Sequence, residues 1–243
     1  MKKVAMMTTH SNIVTFVRNI GNAWVEYNRQ LLVDKVFEDE SDEVFTILDV
    51  GCGEGPFSNR ILQRFIRCNL LVGIDISIEA IAKAKQTSTD ARAEYIVADA
   101  QFLPFKNATF DLTFSKDLLH HVDKQVSVLK EIKRVCNNNI IIVEANRPNL
   151  IMLLYTKFGH KHFTLDQLKS LVKKADLKLE RLKQLHAYPI TCHFPPKNLM
   201  IILWDVMMSL LLFASNLFSD LPKAFLRVFS RFMNPSFNVL HIK

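Results

Sequence analysis

Ile-Leu-Asp-Val-Gly-Cys-Gly-Glu-Gly, residues 47–55, decides the fold. An apolar strand runs straight into a loop with glycine at positions 51, 53 and 55. Without a Cβ the chain can turn sharply there and lie against a ligand. Pro56 opens a segment, 56–68, that reads as a helix. Proline suits the first helical position, and the amides of that first turn face the same ligand.

The spacing narrows the ligand. A dinucleotide fingerprint requires G-x-G-x-x-G; Gly51 and Gly53 fit it, but Pro56 stands in the third place. The phosphate-cradling G-x-x-x-x-G-K-S/T is absent. Taken alone, the loop could be a plain strand-to-helix turn. The residues after it argue otherwise. A second apolar strand, 70–76, carries Asp75 about 20 residues beyond the glycines, where a βαβ unit places a carboxylate against two ribose hydroxyls. Asp75 could instead cap the next helix, but Ser77 suits that role better. A third strand, 95–99, ends in Asp99. A fourth, 112–114, leads into a helix expected to begin at Asp117-Leu-Leu-His-His-Val and to include Leu129–Val135, followed by a fifth strand over 140–144.

The order D-x-G-x-G-x-G (49–55), A-D-A (98–100), L-P-F (103–105), F-D (110–111), L-H-H-V (119–122) and E-I-x-R-V (131–135) resembles class I S-adenosylmethionine-dependent methyltransferases. It is most similar to their small-molecule, ubiquinone/menaquinone-biosynthesis-like branch, over roughly residues 20–185. The resemblance implies a three-layer α/β, Rossmann-like methyltransferase fold. Its seven-stranded sheet would be mostly parallel with an antiparallel last strand, in one domain over 1–243. It implies that Asp49, Gly51, Cys52 and Gly53 bind the methionine part of S-adenosylmethionine. Asp75 would bind the ribose and Ile76 would pack on the adenine. Asp99 would bond the adenine amine, Ala100 would offer its backbone, and Ser115 and Lys116 would border the sulfonium. The chain departs from the pattern at Asn137-Asn138-Asn139, where such chains usually turn on Gly-Gly. Asparagine tolerates the left-handed conformation, so a turn is expected there.

Methylation of a hydroxyl or acidic carbon needs a base. His120 and His121 follow the fourth strand, and by resemblance His121 matches the more regular histidine of L-H-H-V. Either ring could equally pack a helix. Glu144 would bind substrate or pair with Arg147. His160 and His162 have metal-like spacing but no third ligand, so no metal is expected.

At 243 residues with 49% apolar content, one domain with an elaboration is expected. Four cysteines without a C-x-x-C pair read as free thiols of a reducing, cytoplasmic compartment. No apolar run follows Met-Lys-Lys, so the start does not read as a secretory signal. Residues 1–40, with Trp24 and Tyr27, would form an N-terminal helical lid or plain core.

Charge is uneven. Residues 1–150 hold 18 Lys/Arg against 19 Asp/Glu, net −1; residues 151–243 hold 13 against 5, net +8. A basic half serves nucleic acid, acidic substrates or anionic lipid, or is a solvated face. Thr164-Leu-Asp-Gln opens a helix with a capping box, and 177–185 alternates as a strand with one slip in phase. The last strand is expected at 237–242, which leaves 186–236 as a helical insertion beside the substrate mouth. Within it, 198–218 is long enough to cross a bilayer, but Asn198, Asp205, Ser209, Asn216 and Asp220 share one helical stripe. A buried helix or lid fits that stripe better than a span. Residues 221–232 form a basic amphipathic pattern, with Lys223, Arg227 and Arg231 opposite a Phe-rich face. That form lies in membrane interfaces or buries its stripe in a core. Peripheral membrane contact through 198–232 is therefore weighed beside a lid.

The reading that follows is methyl transfer to a small, apolar or amphiphilic acceptor, with no DNA partner. Two rivals remain. One is a non-catalytic member of the fold that binds a membrane or protein. The other is an RNA methyltransferase, although the Asn/Asp-Pro-Pro-aromatic motif of base amino-group methylation is absent at Ser115-Lys116-Asp117-Leu118.

Overall fold

Apolar strands alternating with amphipathic helices must bury both faces of one sheet, which gives parallel crossovers and three layers. The computed structural model describes residues 26–27, 29–145, 163–186 and 236–243. Trp24, Arg147, His160, His162 and the 198–232 segment lie outside them.

A helix over 29–36 (α1) precedes β1 (Thr46–Val50), α2 (Pro56–Arg64), β2 (Leu70–Asp75), α3 (Ile78–Thr87) and β3 (Ala93–Val97). Then come β4 (Phe110–Lys116), a 3₁₀ turn (Leu119–His121), α4 (Gln125–Val135) and β5 (Cys136–Ala145). After these are α5 (Leu165–Lys174), β6 (Leu179–His186) and β7 (Ser236–Ile242). The sheet order is β3-β2-β1-β4-β5-β7-β6. Only β7 runs against its neighbours, antiparallel to both β5 and β6. The expected α/β class, seven strands and antiparallel last strand are all present.

The two faces carry separate cores. Ile47, Leu112, Phe114, Ile141 and Val239 pack under α1 and α2, with Leu32, Val33, Val36 and Phe37 of the N-terminal segment buried among them. Phe37 meets Phe65 edge-on, with ring centroids 5.3 Å apart. The described part of the 1–40 segment is thus built into the core. Leu48, Val50, Ile74, Ile142 and Leu240 pack under α4 and α5 on the other face. Full burial of each such aliphatic side chain contributes about 1.5–3 kcal/mol, so both layers resist removal.

Three local expectations are corrected. Asn137–Asn139 make no left-handed turn: they belong to β5, and left-handed non-glycine residues fall at Ala108, Asp117 and Asp176 among the described residues. The register explains it, because Phe110 pairs with Cys136 and Leu112 with Asn139, so β5 carries one extra residue as a bulge. Asp117–Val122 do not open a helix continuous with 129–135. They form a short 3₁₀ turn, and α4 begins separately at Gln125. The helix after the glycines ends at Arg64, short of Cys68.

That early end is held by Arg92. Its guanidinium donates to the carbonyls of Leu62 (3.1 Å), Phe65 (3.2 Å), Ile66 (3.1 Å) and Cys68 (3.2 Å) and to Asp90 (2.6 Å). A helix end leaves such carbonyls without partners, and a fixed planar donor satisfies several at once. Arg92→Ala is expected to lower unfolding free energy in urea by about 2–3 kcal/mol, the scale of charge-assisted hydrogen bonds. A loss below about 0.5 kcal/mol would show that water replaces the guanidinium without cost.

Candidate cofactor and acceptor site

Parallel strands bring the carboxyl ends of β1, β2, β3 and β4 to one edge, where ligands of open α/β sheets bind. Register sets the heights: Asp49 sits opposite Gly73 and Phe114, and Val50 opposite Ile74 and Ser115. Gly51, Gly53 and Gly55 all have positive φ. At Gly51 an added Cβ would stand 2.9 Å from Leu118. At Gly53 no described residue lies within 4 Å of where a Cβ would be, which leaves room for a ligand against the backbone there. α2 starts without a side-chain cap, its first turn led by Pro56. Its amides remain available for a polar ligand.

Asp75 ties this loop down. One carboxylate oxygen accepts from Gly53 N–H (2.9 Å) and the other from Ser77 N–H (2.9 Å). Ser77 caps α3 through Ala80 N–H, as its position suggests, yet Asp75 is not left free by it. Asp99 accepts from Gln101 N–H at 2.8 Å. Beside these acids Ile76 is 72% exposed and Phe102 74%, while Ala100 is buried. Phe102 was not anticipated; its only signal in the sequence is an apolar residue three places after a strand-end acid.

Asp49 is 2% exposed and accepts from Ser58 Oγ of α2 at 2.6 Å. Burial drives its pKa from 3.8 to about 7, against the Ser58 hydrogen bond and helped by the charge of Asp75. Cys52 packs with Tyr95 beneath the loop, and burial pushes its thiol well up, so it is an inert filler.

After β4 the arrangement differs from the expected one. Ser115 is buried, with no hydrogen-bond partner for its hydroxyl among the described residues. Lys116 turns toward α2 and β7, with Nζ 5.0 Å from the Phe57 ring centre and 4.9 Å from that of Phe237, and it forms an ion pair with Asp117. Asp117 has φ 52, a conformation that costs a non-glycine residue about 1–2 kcal/mol. His121 is exposed. His120 is the inner ring, its side chain 7% exposed, and its Nδ1 lies 2.8 Å from Glu144 Oε2. The two imidazoles lie with centroids 4.1 Å apart. The Glu144 carboxylate pairs with His120 and, at 2.6 Å, accepts the Leu119 N–H, whereas the sequence suggests a partner in substrate or Arg147. That pairing depends on the 3₁₀ turn and could not be read from spacing.

At the opposite edge a depression of about 430 Å³ is lined by Glu40, Glu43, Asp111 and Asn137–Asn139. It lies at the amino ends of the strands, away from every residue above.

The sheet order, the glycine loop and the acids at its edge make up the carboxyl edge of a Rossmann-like fold. A family model described as a methyltransferase domain matches residues 48–143. The chain is 34% identical over 94 residues to malonyl-[acyl-carrier protein] O-methyltransferase of Legionella pneumophila, covering 38% of this chain and 33% of that one. It is 36% identical over 102 residues to 2-methyl-6-phytyl-1,4-hydroquinone methyltransferase of Synechocystis, covering 42% and 31%. The chain therefore spans about a third of the length of these relatives. Among solved structures, magnesium protoporphyrin IX methyltransferase of Synechocystis with bound S-adenosylhomocysteine aligns with a TM-score of 0.57 at 13% identity, over 89% of this chain and 82% of that one. Residues 48–143 thus match a methyltransferase domain, and these likenesses support a class I S-adenosylmethionine-dependent methyltransferase.

The buried Asp49 has a measurable consequence. A carboxyl whose folded-state pKa is about 7, against 3.8 ordinarily, holds its proton more tightly when folded. Stability from this group is therefore lost as pH rises from about 4 to about 7, up to a few kcal/mol at ~1.4 kcal/mol per unit. Asp49→Asn should raise the Tm of the ligand-free protein at pH 8 clearly more than at pH 5, read by thermal shift. A lower Tm at both pH values would contradict the buried, protonatable state.

Proposed function

We propose that this protein transfers a methyl group from S-adenosylmethionine to a small, apolar or amphiphilic acceptor. One observation carries the reading: half-buried Gly53, with room for a Cβ among the described residues, is held by the carboxylate that would receive the ribose. Asp49 and the Gly51–Gly53 backbone would hold the methionine part, the former as a buried acid that ionises when a cationic amino group approaches. Asp75 would accept from the ribose hydroxyls. Asp99 and Ala100 would face the adenine edge, and exposed Ile76 would cover its face. Ser115 would border the reacting centre, with Lys116 behind it.

When bound, the cofactor supplies a methyl group on a positively charged sulfur, which is already a good leaving group. The protein's own contribution is alignment and the exclusion of water. The relatives are named for malonyl-acyl-carrier-protein and for a phytyl hydroquinone, both of which carry apolar or acyl-like portions beside a polar reacting group. An acceptor of that kind also suits the apolar 198–232 sequence, which could line its approach or rest on a membrane surface. Among the described residues no helix is long and apolar enough to cross a membrane.

Calorimetry with S-adenosylhomocysteine is the test. Wild-type protein should bind it, and Asp75→Ala should weaken binding by about 10–100-fold, the worth of one or two charge-assisted hydrogen bonds. No binding by the wild type would end the proposal.

A further inference from the structure

The connection from β3 to β4 has no regular structure of its own: residues 98–109 contain neither helix nor strand. Parallel strands usually join through a helix, which satisfies its own backbone. An irregular crossover must find partners for its N–H and C=O groups elsewhere.

Two side chains of α4 supply several of them. Glu131 accepts from Leu103 N–H at 2.9 Å. Arg134 donates to the Leu103 carbonyl at 2.9 Å and to the Phe105 carbonyl at 2.7 Å. It also reaches Asn107 Oδ1 at 3.1 Å. The guanidinium and the carboxylate hold each other by two bonds, Nε to Oε1 at 2.8 Å and a terminal nitrogen to Oε2 at 2.7 Å. Such a fork keeps both side chains in a fixed relation. Both backbone groups of Leu103 are therefore held by one ion pair, much as a neighbouring strand would hold them. The Leu103 side chain is buried in the core under α4. Phe105 is fixed too, edge-on to Phe110 with ring centroids 4.9 Å apart.

This pin bears on what lies just before it. Ala98 N–H donates to the Asp75 carbonyl at 3.0 Å, which ties the other side of the turn to the end of β2. Only Asp99–Phe102 lie between the two ties. Among them, Asp99 takes Gln101 N–H at its carboxylate (2.8 Å) and Phe102 N–H at its carbonyl (3.0 Å). A short turn held at both ends leaves the Asp99 carboxylate and the Ala100 backbone little freedom to move.

We propose that Glu131 and Arg134 are positioning residues of the methyl-donor site, which set the adenine-facing turn at 99–102 from outside through Leu103. This rests on the methyl-transfer reading above and deepens it. Their contribution is to the adenine and not to the sulfur. A loosened pin lets Asp99 and Ala100 drift from the purine amino group, while Asp75 and the glycine loop keep their own bond. Recognition of the adenine should therefore suffer more than the rest of the binding.

The protonation states agree with the geometry. The hydrogen bond from Arg134 holds the Glu131 carboxyl below its ordinary range, against burial and with help from the Leu103 N–H. Glu131 in turn strengthens the guanidinium's hold on its proton.

The experiment is calorimetry of the full-length protein with two probes, S-adenosylhomocysteine and S-inosylhomocysteine, which carries an oxygen where adenine has its amino group. Wild type should favour the first by about 10–100-fold, the worth of one charge-assisted hydrogen bond. Arg134→Gln should cut that preference by about threefold or more, as expected for groups coupled through a shared contact. Arg92→Gln is the control, since Arg92 holds the end of α2 and not this turn. It should lower stability and leave the preference as in wild type. An unchanged preference in Arg134→Gln overturns the positioning role and leaves the methyl-transfer reading standing. An equal loss in Arg92→Gln does the same, because the effect would then be one of stability alone. Equal binding of both probes by wild type also overturns it, since the turn would not be reading the amino group. If wild type binds neither probe, the methyl-transfer reading fails and takes this inference with it. Should Arg134→Gln not fold, amide hydrogen exchange of the wild type decides. Leu103 N–H should exchange slowly without ligand and more slowly with S-adenosylhomocysteine. Fast exchange there, or exchange that the ligand leaves unaltered, refutes the proposal.

Discussion

The hydrogen bond from Gly53 N–H to the Asp75 carboxylate, 2.9 Å long, is the contact on which the carboxyl edge of the sheet depends. It joins the loop after β1 to the end of β2. The other oxygen of the same carboxylate holds Ser77 N–H, so one side chain fixes both the glycine loop and the start of α3. A loop with three left-handed glycines has much conformational entropy to lose, and a charged anchor offsets part of that loss. Pre-arrangement then leaves less ordering to be done when a ligand arrives.

Much of this was legible in the sequence, because it follows from local pattern. The strand-end acids Asp49, Asp75 and Asp99 stand where each apolar run stops, and parallel pairing brings them to one edge. The phase slip in 177–185 is a real irregularity: Leu179 pairs with Ile242 and Arg181 with His241, so β6 carries an extra residue between them. The capping box at Thr164 forms with both of its hydrogen bonds. What escaped was tertiary. Asn137–Asn139 look like a turn in isolation, but β4 offers them a ladder and pairing overrides the local preference. The two histidines cannot be ranked by spacing. Only the 3₁₀ turn shows that His120 points toward Glu144 while His121 stays exposed.

Two buried acids tell a common story about stability and function. Asp49 accepts from a serine hydroxyl, and burial, helped by the charge of Asp75, pushes its pKa up to about 7. Glu144 is fully shielded and leans on a histidine and one backbone amide. Neither arrangement is what a fold would select for stability alone, since an isosteric neutral residue would cost less to bury. Both sit toward the carboxyl ends of their strands, Asp49 in β1 and Glu144 in β5. The structural acids elsewhere behave differently. Glu131, for example, pairs with Arg134 and has its pKa lowered by that hydrogen bond.

The central claim is that the glycine loop and Asp75 together form the seat of the methyl donor. Amide chemical-shift mapping with S-adenosylhomocysteine tests it most directly, residue by residue in the intact protein. The largest changes should fall on Gly51, Gly53, Gly55 and Ile76, with a second group at Ala100 and Gln101. The amides of Glu40–Val44 and Asn137–Asn139, at the far edge, should stay still. Changes confined to that far edge, or none at the glycines, would contradict it.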